Sequence, residues 1–515
     1  MVPNSPKNLL FVLDHVGYFR HFGELFRLLA VKGNRLHIAI DRLETDNLDS
    51  IDRNNLLELQ ELVRSFPEQV TTGPSVHRHK TNRWYHWAKL IRCTQDYLRY
   101  FDPIYPSGSK LVKRSREWVP AWVVALSAFL PLGNARFRQS TRRFLDWLEG
   151  GISTAPEIDQ FIKNGHYDAV WITPLVTPAG SFQTDYIKSA RAAAIPAGVL
   201  VASWDNLTNK GMLRMQPDYV TVWNAAQKSE AVELHEIAEN NVTITGAQTW
   251  DGWFDRSVSR SREAFFAQNG LNPALRTVLY CCSSKFIAPN EPEFVERWLA
   301  ALNAKEPFPF NVLVRPHPQA LQKWRVHGRL AFAPTAIWPM SDAGTTDEQG
   351  RADFYDSVFY CDAVVGLNTS TLVEAAILDK PILTVVDKKH AGTQEGTLHF
   401  HLLTRDSSGA EGLLQVAQDF DEHRRQLLAA LEDPSTARSR CRTFVQSFVR
   451  PHGRDIPAVA FLQQAIESSI TSPKPQIATP SLAVGWFTAP LAFVYTLMVQ
   501  PPNWRLRPNY GRTVG

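Results

Sequence analysis

The sequence predicts an α/β protein made of two doubly wound, Rossmann-like domains. Three observations carry that prediction. Short apolar runs of strand type recur along the chain and alternate with longer segments of helical periodicity. Many of these runs end in polar loops, which is where doubly wound sheets hold their ligands. The length, 515 residues, exceeds what one hydrophobic core ordinarily holds.

The first strand is NLLFVL (8–13). It leads into the loop Asp14-His15-Val16-Gly17-Tyr18, then a helix with Phe22, Leu25, Phe26 and Leu29 at helical spacing, ended by Gly33. RLHIAI (35–40) is the next strand. The rhythm breaks over 82–143 and resumes with a strand at 167–175 and a helix around 182–194. A further strand then runs into the polar loop Ser203-Trp204-Asp205-Asn206, and strands at 217–224 and 241–247 complete the half, with a domain joint expected around 255–262. The second half repeats the style. A strand at 276–284 ends in Ser283-Ser284, and one at 310–318 ends in Arg315-Pro316-His317-Pro318. DAVVGLNTSTLVEAAILDKPILTVV (362–386) reads as strand, polar turn, apolar helix and strand. Helices around 410–432 and 435–448 and a last one over IPAVAFLQQAIESS precede a Ser/Pro linker. The expected boundaries are 1–258 for the first domain, with a helical insertion at about 82–148, 259–468 for the second, and 469–515 for the linker and an apolar tail.

Composition is that of a globular chain, 44% hydrophobic and 21% charged, and the net charge of +4 is small but uneven. Between Arg78 and Arg116, ten Lys/Arg stand against Asp96 and Asp102. Such a cluster suits an anionic surface. The apolar run 118–133 inside the insertion reads either as a helix lying on an anionic membrane or as a buried helix with snorkelling rims. No charged residue falls between Lys474 and Arg505, and 482–499 is almost wholly apolar, the lower edge of a span. Gly485 and Pro490 weaken a straight span, so the tail either packs on the protein or dips into a membrane. Five cysteines with no C-x-x-C pair and no zinc spacing read as buried, reduced thiols. The N-terminal stretch is a core strand rather than a secretory signal. The expected location is cytoplasmic, peripheral at the inner face of the membrane.

Attention therefore falls on the strand-end loops. Ser283 and Ser284 offer hydroxyls and Arg315 a planar fork for phosphate, with His317 beside it. Asn368, Thr369, Ser370 and Thr371 open a helix, where they serve either as plain caps or as part of an anion site. Glu374 lies four residues beyond Ser370 on the same face, where a carboxylate can take two hydrogen bonds from a ribose diol. Asp14 and His15 are the general-base candidates at the first strand end. Ser203, Trp204, Asp205, Asn206, Gln394, Glu395, His399 and His401 are candidates for substrate contacts. If 391–403 is a strand, His399 and His401 share a face, but no third ligand accompanies them and no metal site is expected. Phosphate-loop, dinucleotide, zinc-protease and serine-hydrolase motifs are all absent from the sequence. No nucleic-acid module pattern appears.

The stretches 222–254, VLVRPHP (312–318) and 361–385 together resemble the GT-B glycosyltransferase superfamily. The likeness is to bacterial enzymes related to CDP-glycerol glycerophosphotransferases and capsule polysaccharide transferases, and to an uncharacterised subgroup sharing the GTLHF segment. The resemblance implies two Rossmann-like domains facing a cleft, with a nucleotide-activated donor in the second domain and the acceptor in the first. It places Arg315 and His317 on the phosphate-side motif, Ser370 and Thr371 at the phosphate-binding helix start, Glu374 on the ribose and His15 near the base loop. It calls for no cofactor and no metal. It implies transfer of a sugar or polyol-phosphate to a polysaccharide or lipid-linked acceptor. The insertion and the tail lie outside the resemblance, and their own basic, aromatic and apolar residues suggest a membrane surface contacted through 78–143 and 482–504, with no nucleic-acid partner expected. Two other readings fit the same architecture: a non-hydrolysing nucleotide-sugar 2-epimerase and a non-catalytic scaffold of polysaccharide assembly. The chain departs from the phosphotransferases in carrying Gly366-Leu367-Asn368-Thr369-Ser370 where they have an Asp-Tyr-Ser-Ser run.

Overall fold

The computed structural model describes residues 5–41, 50–105, 110–177, 180–304, 309–328, 330, 334–341, 344–345, 347–390, 393–405, 412–471 and 482–499. They fall into two compact units, one built mainly from 55–249 with the N-terminal βα elements and the helices Ala458–Thr471 and Leu482–Val499, the other mainly from 250–457. Both are Rossmann-like parallel sheets flanked by helices, the fold class the sequence predicts.

The first unit holds β1 (Asn8–Leu13), β2 (Arg35–Ile40), β3 (Val70–Pro74), β4 (Ala169–Thr173), β5 (Ala197–Leu200), β6 (Tyr219–Val222) and β7 (Val242–Ile244). Their order is β3-β2-β1-β4-β5-β6-β7, and every pairing is parallel. Leu9 to Leu13 are all fully buried, as a strand covered by helices on both faces requires. The chain order reverses between β1 and β4, so their carboxyl ends form the switch point of this sheet.

Between β3 and β4 lie the helices Trp84–Arg99, Lys110–Arg116, Ala121–Ser127 and Ala135–Gly150, the expected insertion. The run 118–133 is not one helix. Only Ala121–Ser127 is helical, with Pro120 at its cap, and Pro131 lies beyond its end. Much of the basic cluster is structural rather than offered to an anion. Arg78 and Arg92 are buried, pairing with Asp185 at 3.1 and 2.8 Å, and Arg92 also meets Glu149 at 2.8 Å. Burial alone would raise the Asp185 carboxyl, yet Arg92 and Arg78 outweigh it and hold it well below its usual range.

The second unit holds β8 (Arg276–Cys281), β9 (Phe310–Arg315), β10 (Thr335–Ile337), β11 (Ala363–Val365), β12 (Ile382–Val385) and β13 (Gln415–Ala417), in the order β10-β9-β8-β11-β12-β13 and again parallel throughout. Its core packs Tyr280, Phe294, Trp298 and Trp324 against the sheet. Order reverses between β8 and β11. The segment 410–432, expected as one helix, gives β13 and then the helix Phe420–Glu432, whose Asp419 cap accepts from Glu422 N–H at 2.7 Å.

The chain enters the second unit at Trp250, upstream of the expected 255–262. The helix Ala458–Thr471, expected with the second domain, packs on the helix Phe19–Val31 of the first, where Lys32 Nζ meets Glu467 at 2.9 Å. All five cysteines are free and buried. Residues 472–481 and 500–515, including the end of the stretch 482–504 expected at a membrane surface, lie outside the described residues.

Candidate functional site

In the second unit the switch point brings the ends of β9, β8 and β11 side by side. The Asn368 N–H donates to the Ser283 hydroxyl at 3.3 Å, and the Cys282 N–H donates to the Arg315 carbonyl at 3.0 Å. Parallel pairing at this register puts Ser283, Arg315 and Asn368 at one carboxyl edge, and Ser284 follows, opening a turn through its carbonyl.

Arg315 is the unusual member. Its side chain is 8% exposed, its guanidinium stacks on Phe354 at 4.6 Å, and its Nη1 has no hydrogen-bond partner among the described residues. Burial lowers its pKa to about 10, opposed by Cys281, Asp353 and Glu374, so it stays a cation near neutral pH. Asp353 is itself bridged to Arg260 and cannot fully neutralise it. A buried guanidinium with an unmet donor costs several kcal/mol unless an acceptor arrives. Next to it, His317 accepts the Gln319 N–H through Nδ1 at 3.2 Å, and burial lowers it to about 4. The neutral ring therefore carries its proton on Nε2, where it donates.

Asn368 is a buried brace. Its Nδ2 donates to the Thr393 carbonyl at 2.9 Å and to the Thr397 hydroxyl at 3.1 Å, and stands 3.3 Å from His399 Nε2. Those contacts fix the amide orientation, and Oδ1 has no partner among the described residues. Ser283 is anchored from behind, because its N–H donates to Glu291 at 2.8 Å while the Tyr280 hydroxyl donates to the other carboxyl oxygen at 3.0 Å. Burial pushes Glu291 up to about 8.

The helix behind the polar turn is short, Thr371–Ile377, with Ser370 exposed at its cap and making no side-chain cap bond. The Leu372 and Val373 N–H groups already donate to Thr369 and Ser370 carbonyls, so this turn is a poorer anion cradle than its sequence suggests. Thr369 and Thr371 hydroxyls lie 3.4 Å apart, and Thr371 also bonds the Cys281 thiol. Glu374 is half-buried within electrostatic reach of Arg315, and its Oε1 accepts from Trp250 Nε1 at 3.3 Å. The carboxylate is thus held by an indole, within the field of the guanidinium.

The segment around 391–403 is not a strand. Residues 391 and 392 lie outside the described ones. A turn then leads into the helix Leu398–Thr404, so His399 and His401 do not share a face: His399 is buried and His401 exposed, its Nε2 at 2.9 Å from the Glu395 carbonyl. Gln394 is fully buried, with Nε2 on Leu367 O, Thr384 Oγ1 and Val385 O and Oε1 taking the Asp387 N–H. It staples the strand ends and is not open to a substrate. Among the described residues no cluster of His, Cys, Asp and Glu is placed to hold a metal ion.

At the switch point of the first unit, Asp14 N–H donates to Thr173 O at 3.1 Å, joining the ends of β1 and β4. Gln183, fully buried, bonds Val12 O and Thr173 O and pins both strands. His15 accepts the Gly17 N–H through Nδ1 at 3.1 Å, so the neutral ring bears its proton on Nε2. In that tautomer Nε2 is a donor. The loop Ser203–Asn206 is largely self-satisfied: Ser203 Oγ donates to Asp205 at 2.7 Å, and Asn206 Oδ1 takes the Ala202 and Ser203 N–H groups, while Trp204 is buried. Three residues not singled out from sequence join this edge. Tyr18 couples to Asp14 and Asp205, and burial raises its phenol far above the usual range. His21 bonds Thr249 Oγ1 at 2.9 Å and is held neutral by burial beside Arg20 and His15. Glu230, within reach of Asp205, is pushed up to about 8 by burial, against the pull of Arg99. Nothing local in the sequence marks Glu230, because its burial comes from helix packing.

No protein-family model matches the chain, and no curated protein matches it. Among solved structures it aligns over 90% of its length with the whole of the UDP-GlcNAc 2-epimerase from Neisseria meningitidis bound to UDP-GlcNAc, at 10% identity and TM-score 0.45. It aligns over 96% with the whole of a glycosyltransferase from Rickettsia africae, at 10% identity and TM-score 0.44. It aligns over 91% with 90% of the wall teichoic acid polymerase TagF, at 9% identity and TM-score 0.42. These likenesses concern the two-unit Rossmann-like architecture alone.

Proposed function

We propose that the chain is a cytoplasmic enzyme that binds a nucleotide-activated donor at the β8–β11 switch point of its second unit. It would transfer the sugar or polyol-phosphate to an envelope polysaccharide or lipid-linked acceptor held by the first unit. The observation that carries the reading is Arg315: a buried cation with an unmet donor, at the strand-end position where doubly wound sheets take ligands. A diphosphate would supply the missing acceptor, with His317 Nε2 as a second donor. A leaving diphosphate so held needs stabilisation by fixed donors that are already in place. Glu374 would take the ribose diol, sharing its carboxylate with Trp250 Nε1. In the first unit His15 Nε2 and the Asp14–Tyr18–His21 edge would meet the acceptor.

The test is release of free nucleotide from a panel of nucleotide-sugars and CDP-glycerol, with and without acceptor lipid extract. Acceptor-dependent release supports transfer, and conversion of the donor without acceptor marks the epimerase reading instead. Glu374→Ala is expected to weaken binding of a ribonucleotide at least tenfold while leaving its 2′,3′-dideoxy analogue unchanged. Equal effects on both would remove Glu374 from the ribose.

A further inference from the structure

The helix Leu482–Val499 belongs to the first unit and packs on the insertion helices Trp84–Arg99 and Ala135–Gly150. Its buried positions recur every four residues, at Val484, Thr488, Ala492 and Thr496, and the last donates through its hydroxyl to the Arg83 carbonyl at 2.9 Å. Packing is close at Gly151 and Gly485. A Cβ on Gly485 would meet Gly151 O at 3.0 Å, and one on Gly151 would meet Val484 Cγ1 at 2.7 Å. Among the described residues no helix is long and apolar enough to cross a membrane. The helix nevertheless turns an apolar face outward. Trp486 is 82% exposed and Phe487 65%, with Phe493 and Leu497 further along. The face continues onto the helix Ala135–Gly150, where Trp147 lies 6.0 Å from Phe487 and stacks on Phe144.

We infer that this face docks the protein on an anionic phospholipid bilayer, at interfacial depth. A contiguous exposed apolar surface of this kind marks an interaction site. Charge identifies the occupant. The exposed charges on and beside the bordering helices are Arg83, Arg136 and Arg143 against one acid, Asp146, and Lys113 and Arg116, with Glu117, follow on the insertion. In the sequence beyond the helix, 500–515 contributes Arg505, Arg507 and Arg512 and no acid. Trp and Phe flanked by Lys and Arg suit the headgroup boundary of an anionic membrane, where apolar burial and basic charge add. A second copy of this chain would bring the same basic rim against itself.

The test uses the full chain and sedimentation with vesicles of phosphatidylglycerol and phosphatidylcholine, compared with pure phosphatidylcholine. The expected result is binding to the anionic vesicles, weakened at least tenfold by high salt and by the double substitution Trp486→Glu with Phe487→Glu. Leu497→Glu, further along the same face, serves as an independent variant, and unchanged thermal unfolding checks that each variant is folded. The inference is overturned if the native chain stays in solution with anionic vesicles, or if folded variants bind them as well as it does. It is also overturned if sedimentation velocity without lipid shows a dimer that the double substitution splits.

Discussion

Arg315 concentrates the physical case at the scale of single residues. Other deeply buried cations of the chain, such as Arg78, Arg92 and Arg214, are each matched to carboxylates, whereas the Arg315 Nη1 meets no acceptor among the described residues. A structural arginine would have been satisfied, so the mismatch points to a ligand. Glu291, in contrast, supports from behind, and its effect should be legible in pH. Its carboxyl, ordinarily near 4.5, is raised to about 8 in the fold. The folded chain therefore holds a proton that the unfolded chain releases, and this contribution is full below about pH 4.5 and lost as pH rises through about 8. Urea unfolding of the native chain should show the second unit weakening from pH 5 to 8.5, by up to a few kcal/mol. Glu291→Gln should flatten that slope, because it cannot lose a proton. An unchanged slope in the variant would mean that Glu291 titrates normally.

At the scale of elements, the strands legible in the sequence were the long apolar ones. NLLFVL, RLHIAI and FNVLVR lie inside their sheets, are largely buried between helices, and are therefore mostly apolar. The edge strands β3, β10 and β13 left no such mark. Each has only three to five residues, and VTTGP and QVA bury little of their surface. The GTLHF segment is ambiguous in sequence for a related reason. Its alternating histidines mimic a strand, but the segment is shaped by tertiary bonds to Asn368 and by Gln394, not by its own periodicity. That assigns Gln394 a measurable role. Gln394→Ala removes the donor to three acceptors in a fully buried place and should destabilise the second unit by about 2–3 kcal/mol, read as a lower urea midpoint. A substrate-contact role would instead leave stability intact and lower only binding.

At the scale of the whole chain, length and alternation were enough to foresee two Rossmann-like units, and the strand-end rule was enough to put Arg315, Ser283 and Asn368 at one sheet edge. What sequence could not show was partnership. The basic cluster over 78–116 looks uniform in one dimension, yet the buried carboxylates of Glu149 and Asp185 pair with Arg78 and Arg92 and leave the outer cations as a rim. In the same way the tail reads as a weak span until its every-fourth-residue contact stripe is seen. The central claim is that Arg315 is kept for an anionic ligand at a cost to the fold. Calorimetric titration with nucleoside diphosphates, paired with thermal unfolding, tests it on the native chain and on Arg315→Met. The account predicts that at least one diphosphate binds the native chain, that the variant binds it at least tenfold more weakly, and that the variant's Tm is unchanged or higher. No binding by the native chain, or equal binding by a variant of lowered Tm, would contradict it.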